Sequence, residues 1–195
     1  MKLAKFSKCF TAASVALLSL PAFAHVGADA GSHHGFSTGF MHPLTGLDHL
    51  AAMLAVGIWS AMTARRIWAA PLAFASLLLA GALLAQAGLN FPAVEPMIAA
   101  SMVVIGLLLA AQKQLPEAAG AALVGGFALF HGAAHGQELV GASALLGMVA
   151  GTALMHAAGL GLGLALRGQR AGLARAAGAC VGVLGMVMGW SLIAA

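Results

Sequence analysis

The chain has 195 residues, of which 62% are hydrophobic and only 7% are charged, and its mean hydropathy is +0.98. A soluble domain of this size could not bury so much apolar surface in one core, and its exterior would lack charge. We therefore expect lipid to surround most of the chain. This predicts an all-α fold, a polytopic bundle of transmembrane helices, and the 26 glycines suit close packing between such helices.

The net charge of +4 arises largely from Lys2, Lys5 and Lys8 at the extreme amino terminus. The remaining chain has six basic and five acidic residues, so its charges nearly balance. No basic patch remains that could follow a phosphate backbone, and nucleic acid is not an expected partner. The two cysteines are Cys9 and Cys180. Because Cys9 lies in the predicted leader, neither an intramolecular disulfide nor a cysteine-based metal cluster is expected in one mature protomer.

Residues 1–24 have the pattern of a cleavable export signal. A basic start is followed by an apolar stretch that is short for a bilayer span, and then by the small-x-small sequence Ala22-Phe23-Ala24. The alternative is an uncleaved first helix. Cleavage would leave His25 at the amino terminus, where its imidazole and the α-amine could together chelate a divalent metal.

Residues 25–39 form a predicted periplasmic segment that contains further histidines, His33 and His34, among glycine, serine and alanine. Two interpretations stay open. The segment collects metal ions outside the membrane, or it is a solvated tail without that role.

The transmembrane helical domain is predicted at 40–195, with about six spans separated by turn-forming residues such as Asn90, Pro92 and Pro116. The predicted spans are 40–62, 68–89, 95–112, 117–137, 141–166 and 174–194. Six spans could divide into two groups of three with opposite topology, although no internal sequence repeat supports that division.

Charge predicts the orientation. If the mature amino terminus lies outside, every remaining basic residue falls on the cytoplasmic side, as the positive-inside rule requires. These residues are Arg65, Arg66, Lys113, Arg167, Arg170 and Arg175. The sequence therefore predicts a bacterial inner-membrane protein with both mature termini in the periplasm.

The first polar segment is HPLTGLDH at 42–49, which begins the first span. His42 and His49 are seven residues apart, and Asp48 could bind an ion or fix the tautomer of an imidazole. Pro43 and Gly46 make a regular helix doubtful here and favour a broken entry turn that lines a cavity. Met53 is a further candidate ligand through its thioether, although a single methionine is more often a core residue.

The second polar segment is FHGAAHGQE at 130–138, near the end of the fourth span. His131, His135 and Glu138 are spaced by four and three residues, so they form one stripe on a helix. Two imidazoles one turn apart commonly hold a transition metal, and Glu138 adds an oxygen donor or an acceptor for an imidazole N–H. Histidines that merely bond to neighbouring backbone are the alternative.

Both segments are predicted at similar depth near the outer face, since His131 and His135 lie roughly 20–27 Å along a span at 1.5 Å per residue. One shared site follows from this placement. Imidazole, carboxylate and thioether donors suit Ni²⁺, Co²⁺, Zn²⁺ or Cu²⁺ better than Mg²⁺ or Ca²⁺.

Two further features have alternative interpretations. The pairs Gly147/Gly151, Gly178/Gly182 and Gly185/Gly189 indicate packing within the bundle, with a homo-oligomer contact as the alternative. His156, about halfway along the fifth span, is interpreted as a packing histidine rather than a second metal station toward the cytoplasm.

At its two polar segments the chain resembles the HupE/UreJ family, accessory membrane proteins of hydrogenase and urease systems that are regarded as nickel, and sometimes cobalt, permeases. The family patterns HPxxGxDH and FHGxxHGxE both stand intact here. The resemblance implies divalent-metal uptake, with six functional positions: His42, Asp48, His49, His131, His135 and Glu138.

The sequence thus favours a non-enzymatic secondary permease, since no GxxxxGK[ST] phosphate loop is present. Its expected partners are the lipid bilayer, the metal ion and cytoplasmic metallochaperones. A membrane metal sensor or chaperone is the first alternative. An intramembrane metalloenzyme is the second, and the absence of HExxH makes it weaker.

Overall fold

A computed structural model describes residues 33–168 and 171–194. These residues form seven helices and two short strands. In chain order the elements are β1 (His33–His34), α1 (Phe36–Thr45), α2 (Leu47–Thr63), α3 (Ala69–Gln86), α4 (Val94–Ala110), α5 (Glu117–Glu138), β2 (Leu139–Val140), α6 (Ala142–Leu166) and α7 (Ala171–Ala194).

The first predicted span is broken, as Pro43 and Gly46 indicated. Helices α1 and α2 are bent by 80° at Gly46, whose backbone is extended (φ −78°, ψ 114°). The helix also starts at Phe36, four residues before the predicted span. The break turns the end of α1 and the start of α2 toward the same region of the bundle.

Extensive contacts join α2 with α6, α3 with α5, and α4 with α7, and α1 also packs on α6. These contacts require glycine. A Cβ added at Gly57, Gly106 or Gly132 would overlap the backbone of the partner helix. Helices in lipid gain their association mainly from such close packing, because the surrounding chains are as apolar as leucine.

The predicted glycine pairs lie against helices of the same chain. Gly147 and Gly151 contact α1, whereas Gly178 and Gly185 contact α4. Their interpretation as packing positions within the bundle is therefore confirmed.

The described basic residues gather at one end of the bundle, where three loops meet. The backbone N–H of Arg66 donates to Glu117 Oε1 at 2.9 Å, and the Trp59 indole donates to the Lys113 carbonyl at 2.9 Å. Arg167, after α6, donates to the Ala61 carbonyl. This clustering is what the positive-inside prediction requires of one membrane side.

At the opposite end, the chain before α1 is paired with the chain after α5. Strand β1 lies parallel to β2, with His33 opposite Leu139 and His34 opposite Val140. The Gln86 amide, at the end of α3, donates to the Leu139 carbonyl at 2.7 Å. The pairing holds the ends of α1, α3 and α5 together.

Large apolar side chains cover the outside of the bundle, as expected for an integral membrane protein. Leu72, Leu107, Trp190 and Ile193 are all more than half exposed. Four described helices are long and apolar enough to cross a membrane singly: α3, α5, α6 and α7. The bent pair α1–α2 makes a fifth if it counts as one span, and α4 is a shorter apolar helix of 17 residues.

The predicted leader, His25 and Arg170 lie outside the described residues. The predictions made for them stay predictions.

We expect Gly132→Ala to lower the thermal unfolding temperature of the purified protein, because its methyl group would overlap the Leu78 carbonyl of α3. Overpacking of this kind typically costs about 1–3 kcal/mol. Gly126→Ala is the matched control on the same helix, since a Cβ there meets nothing within 4 Å. Unfolding in detergent, followed by tryptophan fluorescence, measures both; equal midpoints would contradict the packing argument.

Candidate metal site

The break at Gly46 positions the first polar segment. Asp48 and His49 occupy the first turn of α2 and are buried, with Asp48 Oδ1 3.0 Å from His49 Nδ1. A Cβ at Gly46 would lie 3.1 Å from that carboxylate oxygen and 3.3 Å from that ring nitrogen. Glycine at the break therefore leaves room for the carboxylate to orient the imidazole.

Helix α5 positions the second segment. His131 and His135 are fully buried on its inner face, and Glu138, in its last turn, is half-buried. The carbonyls of Leu78 and Ala82 on α3 lie against Gly132 and Gly136. The face of α5 without side chains at Gly132 and Gly136 is therefore occupied by the neighbouring helix α3, not by an ion.

Four imidazoles from the two segments form a continuous series, the imidazole column. His42 contacts His135 with ring centroids 4.7 Å apart, His135 contacts His49 at 4.3 Å, and His49 contacts His131 at 4.9 Å. The structure therefore brings the two predicted segments into one cluster. It leads inward from the partly exposed His42 to the fully buried His131.

The outer end of the column contains the group best suited to hold one ion. His42, His135 and Glu138 each offer a donor atom, and these atoms lie within 4.8 Å of one another. Glu138 Oε2 is 2.9 Å from His42 Nε2 and 4.0 Å from His135 Nδ1. The Glu138 side chain keeps about a third of its surface exposed, so the group is open to the exterior.

His131 lies one turn deeper and has a defined tautomer. Its Nε2 is 2.9 Å from Ser101 Oγ, and that hydroxyl donates its single hydrogen to the Ile98 carbonyl at 2.6 Å. The hydroxyl must then accept from the imidazole, so Nε2 carries the hydrogen. Nδ1 is left with its lone pair, and it has no hydrogen-bond partner among the described residues.

Sequence reasoning missed Ser101 and Phe74, which lie on α4 and α3. Phe74 is fully buried, and its ring centroid lies 5.5 Å from that of His131 and 5.0 Å from that of His156. A serine within a strongly apolar helix was the available signal for Ser101. Nothing in the local sequence distinguishes Phe74 from a lipid-facing phenylalanine.

The remaining candidates lie elsewhere. Met53 packs in the hydrophobic core, and its carbonyl oxygen lies 3.0 Å from His156 Nδ1. His25 lies outside the described residues. Neutral imidazole, carboxylate and buried surroundings together favour borderline transition-metal ions over Mg²⁺ or Ca²⁺.

Fold and site together define a helical integral membrane protein with a histidine- and carboxylate-lined cluster near one end of the bundle. The family model described as HupE / UreJ protein matches residues 13–188. The chain is also 40% identical over 192 residues to Protein HupE of Rhizobium leguminosarum bv. viciae, covering 94% of this chain and 98% of that protein. No solved structure matches the chain.

The chain belongs to the HupE/UreJ family. The resemblance indicated by the two polar segments is thereby confirmed. Membership associates the chain with the accessory membrane proteins of hydrogenase and urease systems and with nickel or cobalt.

Replacing Ser101 with alanine removes the acceptor that fixes the His131 tautomer. We expect Ser101→Ala to weaken the binding of Ni²⁺ at His131 by about 10- to 100-fold, the usual effect of losing such an orienting partner. Ser191→Ala is the control, because Ser191 also donates to a backbone carbonyl, that of Met188, but lies on α7 away from the column. Calorimetric titration of the purified proteins compares them; a Ser101→Ala affinity within twofold of wild type would contradict this role.

Proposed function

We propose that the protein is a secondary permease that takes up a divalent transition metal, nickel or cobalt, for the maturation of a hydrogenase or urease. The observation that carries the proposal is the imidazole column. It runs from the partly exposed His42, beside Glu138, to the fully buried His131. A protein that only sensed metal at its surface would need metal ligands at the surface alone, not a series of imidazoles at increasing depth in the bundle.

The outer group would receive the ion. Glu138 and His42 lie at the outer edge of the cluster with part of each side chain exposed, and their carboxylate and imidazole can replace water molecules of the hydrated cation. His135 stands within reach of both, so the ion can gain a third protein ligand before leaving the surface. Ligand imidazoles must be neutral to bind, so an arriving ion displaces any proton that they carry.

Movement inward would follow from the spacing of the rings. Ring centroids 4.3–4.9 Å apart put neighbouring imidazoles close enough to exchange an ion between them after small side-chain rotations. Asp48 beside His49 supplies negative charge at the second layer, where the cation has lost part of its water shell. Exchange between adjacent imidazoles keeps the distance that the ion moves in each step small.

The topology that fits this role has six spans, with the column facing the periplasm and the basic loops facing the cytoplasm of the inner membrane. Support comes from the loops that follow α2 and α4, which contact each other through Arg66, Glu117 and Lys113. The basic residues of these loops therefore lie at the end of the bundle opposite the column. The bent pair α1–α2 then forms the first span and α4 the third.

Reconstituted liposomes that contain a metal-quenched dye test the proposal with Ni²⁺, Co²⁺, Zn²⁺ and Cu²⁺. We expect wild type to admit nickel or cobalt, and His131→Ala/His135→Ala to reduce entry to the level of empty liposomes. Glu117→Gln is the control, because it removes a carboxylate at the opposite end of the bundle, where an exposed ion pair is worth about 0–1 kcal/mol.

Tight binding of Ni²⁺ by wild type without entry of any ion would overturn the permease proposal and favour the sensor or chaperone. Equal entry through the wild type and the double histidine variant would exclude the column as the route.

A further inference from the structure

Two polar side chains on α6 lie outside the column and have no role in the site described above. Thr152 and His156 are one helical turn apart, so they share a face of the helix, and both are buried. Among residues 33–168 and 171–194, neither Thr152 Oγ1 nor His156 Nε2 has a hydrogen-bond partner. Buried polar atoms are normally paired, so two unpartnered atoms on one face need a partner beyond the protein, such as an ion or water.

The remaining hydrogen bond of His156 defines which nitrogen is available. Its Nδ1 lies 3.0 Å from the Met53 carbonyl oxygen, which can only accept, so Nδ1 carries a hydrogen. Within an apolar bundle the neutral ring is favoured, because an unpaired buried charge is costly. Nε2 therefore has a lone pair, the arrangement usual for an imidazole that binds metal.

Thr152 departs from the pattern of the other buried hydroxyls in the described part of the chain. Ser60 donates to the Ile67 carbonyl at 2.8 Å and Ser101 to the Ile98 carbonyl at 2.6 Å. Threonines in helices commonly bond back to a carbonyl of the preceding turn, and Thr63 does so with Trp59 at 2.6 Å. The hydroxyl of Thr152 instead stays available to a ligand.

The position of this pair extends the column inward. His156 is fourteen residues beyond the start of α6, roughly 21 Å from the column end of that helix at 1.5 Å per residue. The Phe74 ring contacts both His131, the innermost ring of the column, and His156. One aromatic side chain is thus shared by the end of the column and the deeper histidine.

We propose that Thr152 and His156 form an inner station for the transported divalent cation, with His156 Nε2 as the nitrogen ligand, Thr152 Oγ1 as an oxygen ligand, and retained water molecules completing the shell. This inference rests on the permease function proposed above. It replaces the sequence-based interpretation of His156 as a packing residue, because packing alone leaves both polar atoms unsatisfied.

The test compares Ni²⁺ entry and Ni²⁺ binding in variants of the full chain. His156→Asn keeps an N–H donor near the position of Nδ1 and removes Nε2. Thr152→Val removes the hydroxyl at nearly constant shape, and Thr152→Ser retains it as the matched control. We expect His156→Asn to reduce entry at least tenfold and Thr152→Val severalfold, with Thr152→Ser near wild type.

Binding separates this inference from the permease proposal. The outer group should keep its Ni²⁺ affinity within twofold in His156→Asn, whereas the number of ions bound at saturation falls by one. A second measurement in a background that replaces all four histidines of the column with alanine should show residual Ni²⁺ with imidazole nitrogen in its X-ray absorption spectrum. Adding His156→Asn should reduce that signal.

Wild-type entry rates in both His156→Asn and Thr152→Val, with unchanged stoichiometry, would overturn the inner station and leave the permease proposal intact. If wild type admits no ion, the permease proposal fails on its own. The stoichiometry of Thr152→Val against Thr152→Ser still decides whether the inner station binds metal, including when His156→Asn does not fold.

Discussion

The close approach of α3 to α5 is the contact on which the site depends. It exists because Gly132 and Gly136 have no side chains, which lets the carbonyls of Leu78 and Ala82 lie directly against α5. The same approach presents Phe74 to His131 and places Gln86 where it can bond to Leu139. Burial of apolar surface does not drive helices together in lipid, so the van der Waals attraction between closely packed backbones must do so. His131 and His135 are therefore positioned by a backbone contact between two helices, with no polar side chain taking part in it.

The kind of partner that each histidine has changes with its depth in the bundle. Glu138 and His42, at the exterior, share a charge-assisted contact and remain accessible. His49 relies on the neighbouring Asp48, whereas the deeper His131 relies on a neutral hydroxyl, that of Ser101. The partners thus change from charged to neutral with depth, in keeping with the rising cost of burying charge away from water.

Much of this arrangement could be predicted from the sequence. Spacing predicted the stripe of His131, His135 and Glu138, and Pro43 with Gly46 predicted a broken first span. Charge patterning predicted a common end for the basic loops. Ser101 and Phe74 could not be found in this way, because their importance arises from contacts between helices distant in the chain. Six crossings require that the bent pair α1–α2 and the 17-residue α4 each cross the membrane once.

The pairing of helices has a consequence for how the chain is organised. Suppose that α2 is exchanged with α5, α3 with α6 and α4 with α7. The contact of α2 with α6 then becomes the contact of α5 with α3, and the contact of α4 with α7 is unchanged. In the proposed six-span topology, a two-fold axis lying in the membrane plane would perform this exchange and reverse the direction of each helix. The chain therefore has the contact pattern of an inverted repeat without a visible repeat in its sequence. The two halves share these main helix contacts, yet the column belongs to one end only.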